Sequence, residues 1–289
     1  MNQSNNRRES RFFTGNQSEL QQIKSKESLQ KFVRHNRAKK QLSRFGYTVV
    51  FIAICVVFII ICLAVFFKIK TIEVVGTTRY SAEQVLSVVD IEEGLSLYEV
   101  SNRDVQAIPK KLAYIHSARI VRKLPSTLVI SVIEDTPVYV SEFYGEFFIL
   151  SEELRVLDRV FDRAELEGMT LVELVLPTIN SAVVGETVEF EADVTRRYVE
   201  AYLDALEGSD LFAKTTAFDL RDRFNLAVIC EGIYLVDFGN GDELGTKFTA
   251  VAGMLENEVF ADKIPATIDA NDPTECAVIK DPGAEIAFN

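Results

Sequence analysis

At 289 residues, with 48% hydrophobic and 26% charged side chains, the chain is long enough for one or two folded units beyond any tail or membrane segment. Its formal net charge of −12 conceals a division: residues 1–44 carry eleven Lys or Arg against three acids, a net +8, whereas from Thr71 onward 40 acids face 18 bases, a net −22. Two histidines, one of them His35 in the basic segment, exclude most zinc sites and His-assisted nucleophiles.

Residues 1–44 are polar, lack an apolar period and have the composition of a disordered tail. Their basic end, Lys31–Arg44, is expected to lie against anionic headgroups; nothing aromatic or structured around it supports nucleic-acid binding. Residues 45–67 then form a run of 23 positions without a charge. At 1.5 Å per residue this reaches roughly 34 Å, enough to cross a hydrocarbon core, and a helix is the only single segment that satisfies its own amides in lipid. A cleaved signal peptide would have a shorter apolar run ending in small residues, and Ala64-Val65-Phe66-Phe67-Lys68 is a poor cleavage site. Because short basic flanks stay inside, the expectation is a single-pass type II protein of the cell membrane, with a cytoplasmic N-terminus and residues 68–289 outside. Cys55 and Cys62 fall in the span as apolar filler. For Cys230 and Cys276, outside, a disulfide and two buried thiols are equally open.

After the span, Ile72–Val75 reads as a strand stopped by Gly76. Ser81-Ala82-Glu83-Gln84 is a capping-box pattern leading a helix with Val85, Leu86, Val88 and Val89 on its apolar face. A second helix is expected to open at Ser101–Asp104, carrying Val105, Ile108 and Leu112, and to stop or restart at Pro109. The runs Ala118–Leu124 and Thr127–Glu134 read as a hairpin through Pro125-Ser126. This order predicts an α+β layer, two helices on one face of a three-stranded sheet. Further along, Val138–Val140, Glu146–Leu150 and Leu154–Asp158 are β-rich. Asp193–Leu206 is an amphipathic helix with Val194, Tyr198, Tyr202 and Leu206 spaced four apart. Phe218–Leu220, Asn225–Cys230 and Ile233–Phe238 follow as strands with turns at Arg221–Arg223 and Glu231-Gly232. A helix over Asp242–Val259 turns Leu244, Phe248, Val251, Leu255 and Val259 inward, and a short strand near Cys276–Lys280 ends the pattern.

A βααββ module directly after one transmembrane helix resembles a POTRA domain. The string Ala118-Arg119-Ile120-Val121-Arg122-Lys123-Leu124-Pro125-Ser126-Thr127-Leu128 resembles the "A-x-V-x-R-x-x-P-x-T-L" stretch of the FtsQ/DivIB family of cell-division proteins. Glu134-Asp135-Thr136-Pro137 resembles its "E-R-x-P", with Asp135 in place of the usual arginine. Leu176-Pro177, Phe238-Gly239 with Lys247, and Thr267-Ile268-Asp269 match elements of that family's second domain. The resemblance implies a basic tail (1–44), a membrane helix (45–67), a POTRA domain (68–136), an FtsQ-type β domain (137–280) and a C-terminal tail (281–289). Its motif residues in the POTRA domain are Arg119, Arg122, Pro125 and Glu134.

Searching for chemistry yields little. His116 stands alone at a strand start, Gly239-Asn240-Gly241 is a hairpin or helix-entry turn lacking a third glycine, and Glu92-Glu93 and Glu152-Glu153 read as solvated pairs. No metal, cofactor or catalytic residue is expected. What remains is binding: an exposed edge strand suits pairing with a partner segment. The resemblance implies FtsL-like and DivIC/FtsB-like division proteins, linked to the septal peptidoglycan synthase complex, on the C-terminal strand. That strand comprises Thr274, Glu275, Cys276, Ala277, Val278, Ile279 and Lys280, with Asp272 and Lys280 where some relatives carry aromatics. The implied role is a non-catalytic scaffold at the division septum. The competing readings are a POTRA-type docking protein for secretion or envelope assembly, which the lack of a barrel-like strand series disfavours, and a wall-acting enzyme.

Overall fold

The computed structural model describes residues 46–62 and 65–288; residues 1–45, 63, 64 and 289 lie outside the described residues, and with them the expected disordered tail and part of the expected span. Contacts divide the chain into Met1–Phe67 and Lys68–Asn289. In the first unit residues 46–62 form a helix, α1, whose large apolar side chains from Tyr47 to Ile61 are exposed. Among the described residues no helix is long and apolar enough to cross a membrane.

The second unit opens with β1 (Thr71–Val75), α2 (Ala82–Leu86), α3 (Ile108–Lys111), β2 (Ile115–Lys123) and β3 (Thr127–Glu134). The sheet order is β1-β3-β2, with β1 parallel to the central β3 and β2 antiparallel to it. Local chemistry starts α2: the Ser81 hydroxyl accepts from the Gln84 amide at 3.2 Å, and the Gln84 side chain accepts from the Ser81 amide at 2.8 Å. Both bonds satisfy donors that the first helical turn leaves unpaired. The second expected helix is corrected. Residues 102–107 are turns, and α3 starts at Ile108 with Pro109 in its first turn. Proline has no amide to give the turn before it, but its fixed φ suits a helix start. Leu97, Val100, Val105 and Ile108, most of them from turns, are buried, as are Leu128, Ile130 and Val132 of β3.

Only Asp135 and Thr136 separate β3 from β4 (Pro137–Phe143). The strands β4, β5 (Glu146–Ser151), β6 (Val156–Val160), β7 (Val172–Val175), β10 (Thr215–Asp219), β11 (Leu226–Cys230), β12 (Tyr234–Gly239), β13 (Ala266–Asp269) and β14 (Ala277–Lys280) make one mixed sheet. Its order is β14-β13-β12-β11-β10-β7-β4-β5-β6, while β8 (Ile179–Ser181) and β9 (Glu189–Phe190) pair separately. Helices α4 (Asp193–Glu207) and α5 (Leu244–Leu255) supply the core side chains for one face. There Phe248 meets Phe218 and Phe238 edge-on, with ring centroids 6.2 and 4.9 Å apart, an arrangement favoured by the aromatic quadrupole.

The helix faces are partly corrected. On α4 the buried residues are Val199, Leu203 and Leu206, whereas Val194 is exposed and Tyr198 and Tyr202 are half-buried. At 100° per residue each step of four overshoots a full turn by about 40°, so a strict i+4 series winds off the core, and a buried stripe must mix threes with fours. On α5 Leu244, Phe248, Val251 and Leu255 are buried as expected, but Val259 lies beyond the helix in a short 3-10 turn and is exposed.

Candidate partner-binding edge

Strand β14 is the last strand of the nine and pairs antiparallel with β13 alone, Ile268 opposite Val278 and Thr267 opposite Ile279. The register carries these residues into two rows. Val278 continues the row Leu174, Phe218, Val228, Val236 and Ile268 on the core face. Ile279 continues Ala217, Ile229, Leu235 and Thr267 on the opposite face. Val278 is 37% exposed and Ile279 69%, so both rows end in apolar side chains on a strand with one open main-chain edge. Lys280 is tied down: its ammonium donates to the Asp262 carboxylate at 2.7 Å and the Val259 carbonyl at 2.5 Å. That hydrogen bond with Asp262 holds the Asp262 carboxyl below its ordinary range.

The expected site residues divide at Ala277. Ala277, Val278, Ile279 and Lys280 form the strand, whereas Thr274, Glu275 and Cys276 belong to the preceding turn, which corrects its length. The Asp272 carboxylate accepts from the Thr274 hydroxyl at 2.6 Å and amide at 2.8 Å; these bonds close the turn and lower the acid's pKa. An aspartate at this position therefore builds the turn rather than an aromatic anchor. The thiols of Cys230 and Cys276 are both free. Cys230 is buried, which pushes its pKa up to about 12, and Cys276 is half-buried and also raised, by burial and by Asp269 and Asp272.

The four POTRA motif residues lie in the other sheet, away from β14, as braces and surface positions. Arg122 donates to the carbonyls of Leu97 at 2.7 Å and Val100 at 2.6 Å, pinning the long α2–α3 connection to the sheet. Glu134 accepts from the Thr77 hydroxyl, the Thr78 amide at 3.1 Å and hydroxyl at 3.1 Å, and the Arg79 amide at 3.0 Å. Burial works against its charge, but these donors keep the carboxyl below its ordinary range. Arg119 is exposed, and Pro125 follows a cis bond in the β2–β3 turn.

Among the described residues no group of three His, Cys, Asp or Glu is placed to hold a metal. Gly239-Asn240-Gly241 enters α5, and there the ammonium of buried Lys247 donates to the carbonyls of Phe238 at 2.8 Å and Asn240 at 3.1 Å.

At Glu207 the shift is upward and reaches the neutral range. Burial, a hydrogen bond with Glu152 and the charges of Glu152 and Asp204 push Glu207 up to about 7, against a lowering by the Tyr139 hydroxyl that donates to it. Folded Glu207 thus keeps a proton that the unfolded chain releases near pH 4.5, so this group favours folding less and less as pH rises from 4.5 through 7. Glu207→Gln retains an acceptor for Tyr139 without the charge. Melting curves across pH 5–8.5 are expected to show the variant gaining on the native chain as pH rises, with the gain levelling off above about 7. A constant difference would remove the assignment. Nothing in the spacing of Tyr139, Glu152 and Glu207 announces this cluster, since three separate elements bring it together.

Comparison with known proteins agrees with this architecture. The family model for the FtsQ-type POTRA domain matches residues 67–134, the whole of the three-stranded unit. Two curated relatives, each named cell division protein DivIB, from Clostridium botulinum strains Hall and Loch Maree, are 22% identical over 232 residues. Each match covers 80% of this chain and 88% of the relative, more than the POTRA unit and everything before it could supply, so it reaches into the nine-stranded sheet. Over the three-stranded unit the chain is thus similar to the FtsQ-type POTRA family, and over most of its length to the DivIB cell-division proteins. Within the FtsQ/DivIB pattern Glu134, Arg122 and Lys247 act here as structural ties, and Asp135, a departure from it, faces Arg155.

Proposed function

We propose that this chain is a non-catalytic cell-division scaffold of the FtsQ/DivIB type, anchored by residues 45–67 with its N-terminus in the cytoplasm, that takes a partner strand on β14 outside the cell. The cell-division role is supported by the FtsQ-type POTRA match and by the DivIB relatives. The observation that carries the mechanism is the open edge of β14, with Val278 and Ile279 ending two apolar rows. A tenth strand would gain main-chain hydrogen bonds and extend both rows, which is how edge-strand recognition combines affinity with side-chain selectivity. By family resemblance the partners are FtsL-like and DivIC/FtsB-like proteins, through which the chain would help recruit or regulate the septal peptidoglycan synthase complex. The anchor is supported by the 23 uncharged residues and by the exposed apolar side chains of α1. Its test is extraction of the full chain from membranes: release by alkaline carbonate would sink it.

The edge is tested by Val278→Asp with Ile279→Asp in the full chain. Both positions are exposed enough that stability should change by no more than about 1 kcal/mol, while affinity for a DivIC-like partner falls at least tenfold, because charge would have to be buried beside the new strand. Unchanged affinity would displace the interface from β14. Depletion is expected to give unseptated filaments, with the tagged chain at midcell. An even distribution with normal septa would instead favour docking for secretion or envelope assembly.

A further inference from the structure

Between the three-stranded and nine-stranded sheets lies a set of contacts that neither the family motifs nor the edge strand explains. Arg155 sits just before β6, at the far side of the large sheet from β14, and its guanidinium enters the POTRA unit. It donates to the Ile115 carbonyl at 2.9 Å and the His116 carbonyl at 3.5 Å, and its other terminal nitrogen donates to the Pro109 carbonyl. Asp135, in the two-residue link between the sheets, places a carboxylate oxygen 3.6 Å from the same guanidinium. Its other oxygen is 3.1 Å from the His116 ring. The Arg155 and Asp135 side chains are each 11% exposed, and the Nε of one and the Oδ2 of the other are buried without a hydrogen-bond partner among the described residues. Two buried opposite charges with unused hydrogen-bonding capacity hold each other by proximity, and either one left alone would be strongly disfavoured. Around this pair the Tyr114 hydroxyl reaches Asp158 of β6 at 3.4 Å.

We propose that Arg155 is a bolt that locks the POTRA unit and the nine-stranded sheet into one rigid arm, with Asp135 as its counter-charge. Three carbonyls held by one planar guanidinium define an orientation, which a flexible ammonium cannot do. The link of Asp135 and Thr136 alone would leave a hinge, since two residues supply four soft dihedrals. Asp135, which breaks the family's "E-R-x-P" pattern, is accommodated because the positive charge at the joint comes from the opposite sheet. The consequence is geometric: β6 and β14 are eight strand intervals apart, about 38 Å at the usual spacing, so a fixed joint sets β14 at a fixed reach from the POTRA unit. The inference concerns the joint alone and holds whether or not β14 takes a partner.

The test is a pulsed dipolar distance measurement on the full chain. Spin labels are carried on p-acetylphenylalanine at Leu124 and Phe224, exposed positions in the β2–β3 turn of one sheet and the β10–β11 turn of the other. The native chain is expected to give one narrow distance distribution. Arg155→Gln should at least double its width, Asp135→Asn should broaden it less, and Arg159→Gln, at an exposed arginine of the adjoining strand β6, should leave it unchanged. An unaltered width in Arg155→Gln, with amide exchange showing both sheets folded, overturns the bolt, as does equal broadening by Arg159→Gln. Should Arg155→Gln fail to fold, Arg155→Lys keeps the charge without the fork. Broadening there supports the proposal, and the native width rejects it.

Discussion

Gly76→Ala is expected to abolish the native packing of the POTRA unit, at a cost of about 4 kcal/mol or more, near the upper end for single substitutions. Gly76 ends β1 with φ at +93°, where side chains are strained, and a Cβ built there would stand 2.1 Å from the Val132 carbonyl oxygen. That atom belongs to the central strand β3, so it cannot move aside as a flexible side-chain tip could. The turn that Gly76 opens also carries Thr77, Thr78 and Arg79 to Glu134, so displacement would unmake that set of bonds as well. Gly94 provides the control. Its φ is similar, +97°, but nothing lies within 4 Å of its added Cβ, so Gly94→Ala should cost only the backbone strain, about 1–2 kcal/mol. Urea titration of the full chain with amide exchange of β1–β3 would measure both. Equal effects at the two glycines would show that the Val132 contact relaxes.

The second large effect is expected at Lys247. Its side chain is 4% exposed, and its ammonium bonds the carbonyls of Phe238 and Asn240 where β12 turns into α5. Lys247→Met fills much the same space but leaves two carbonyls without their donor; at about 1–3 kcal/mol for each unsatisfied buried group, a loss of about 2–6 kcal/mol follows. Lys123, 60% exposed and paired with Glu73 at 2.8 Å, is a matched surface case: Lys123→Met should shift stability by less than about 1 kcal/mol. Comparable losses at the two lysines would mean that water satisfies the carbonyls around position 247.

The family pattern at Lys247 is legible along the chain, but its reason is not. A lysine three residues into an amphipathic helix reads as solvent-facing, and only the return of the Gly239-Asn240-Gly241 turn over it makes it a buried donor. Arg155 carries no signal at all. One arginine in a β-rich stretch becomes meaningful when a strand from elsewhere presents carbonyls to it.

What the sequence alone determined were features whose causes span a few residues. The Ser81–Gln84 capping box closes within one turn, the Thr127–Glu134 strand follows from its β-branched composition and its turn, and the charge division is a property of composition. The three-stranded unit was likewise readable, because its strands and helices follow one another in order. Tertiary structure decided what depends on residues far apart in the chain. It set which stripe of α4 faces inward, where the second short helix begins around Pro109, and that β14 ends a sheet of nine strands. It also brought Asp135 to Arg155. The physical reason is common to all four: burial, pairing and counter-charge are supplied by partners that local periodicity does not contain.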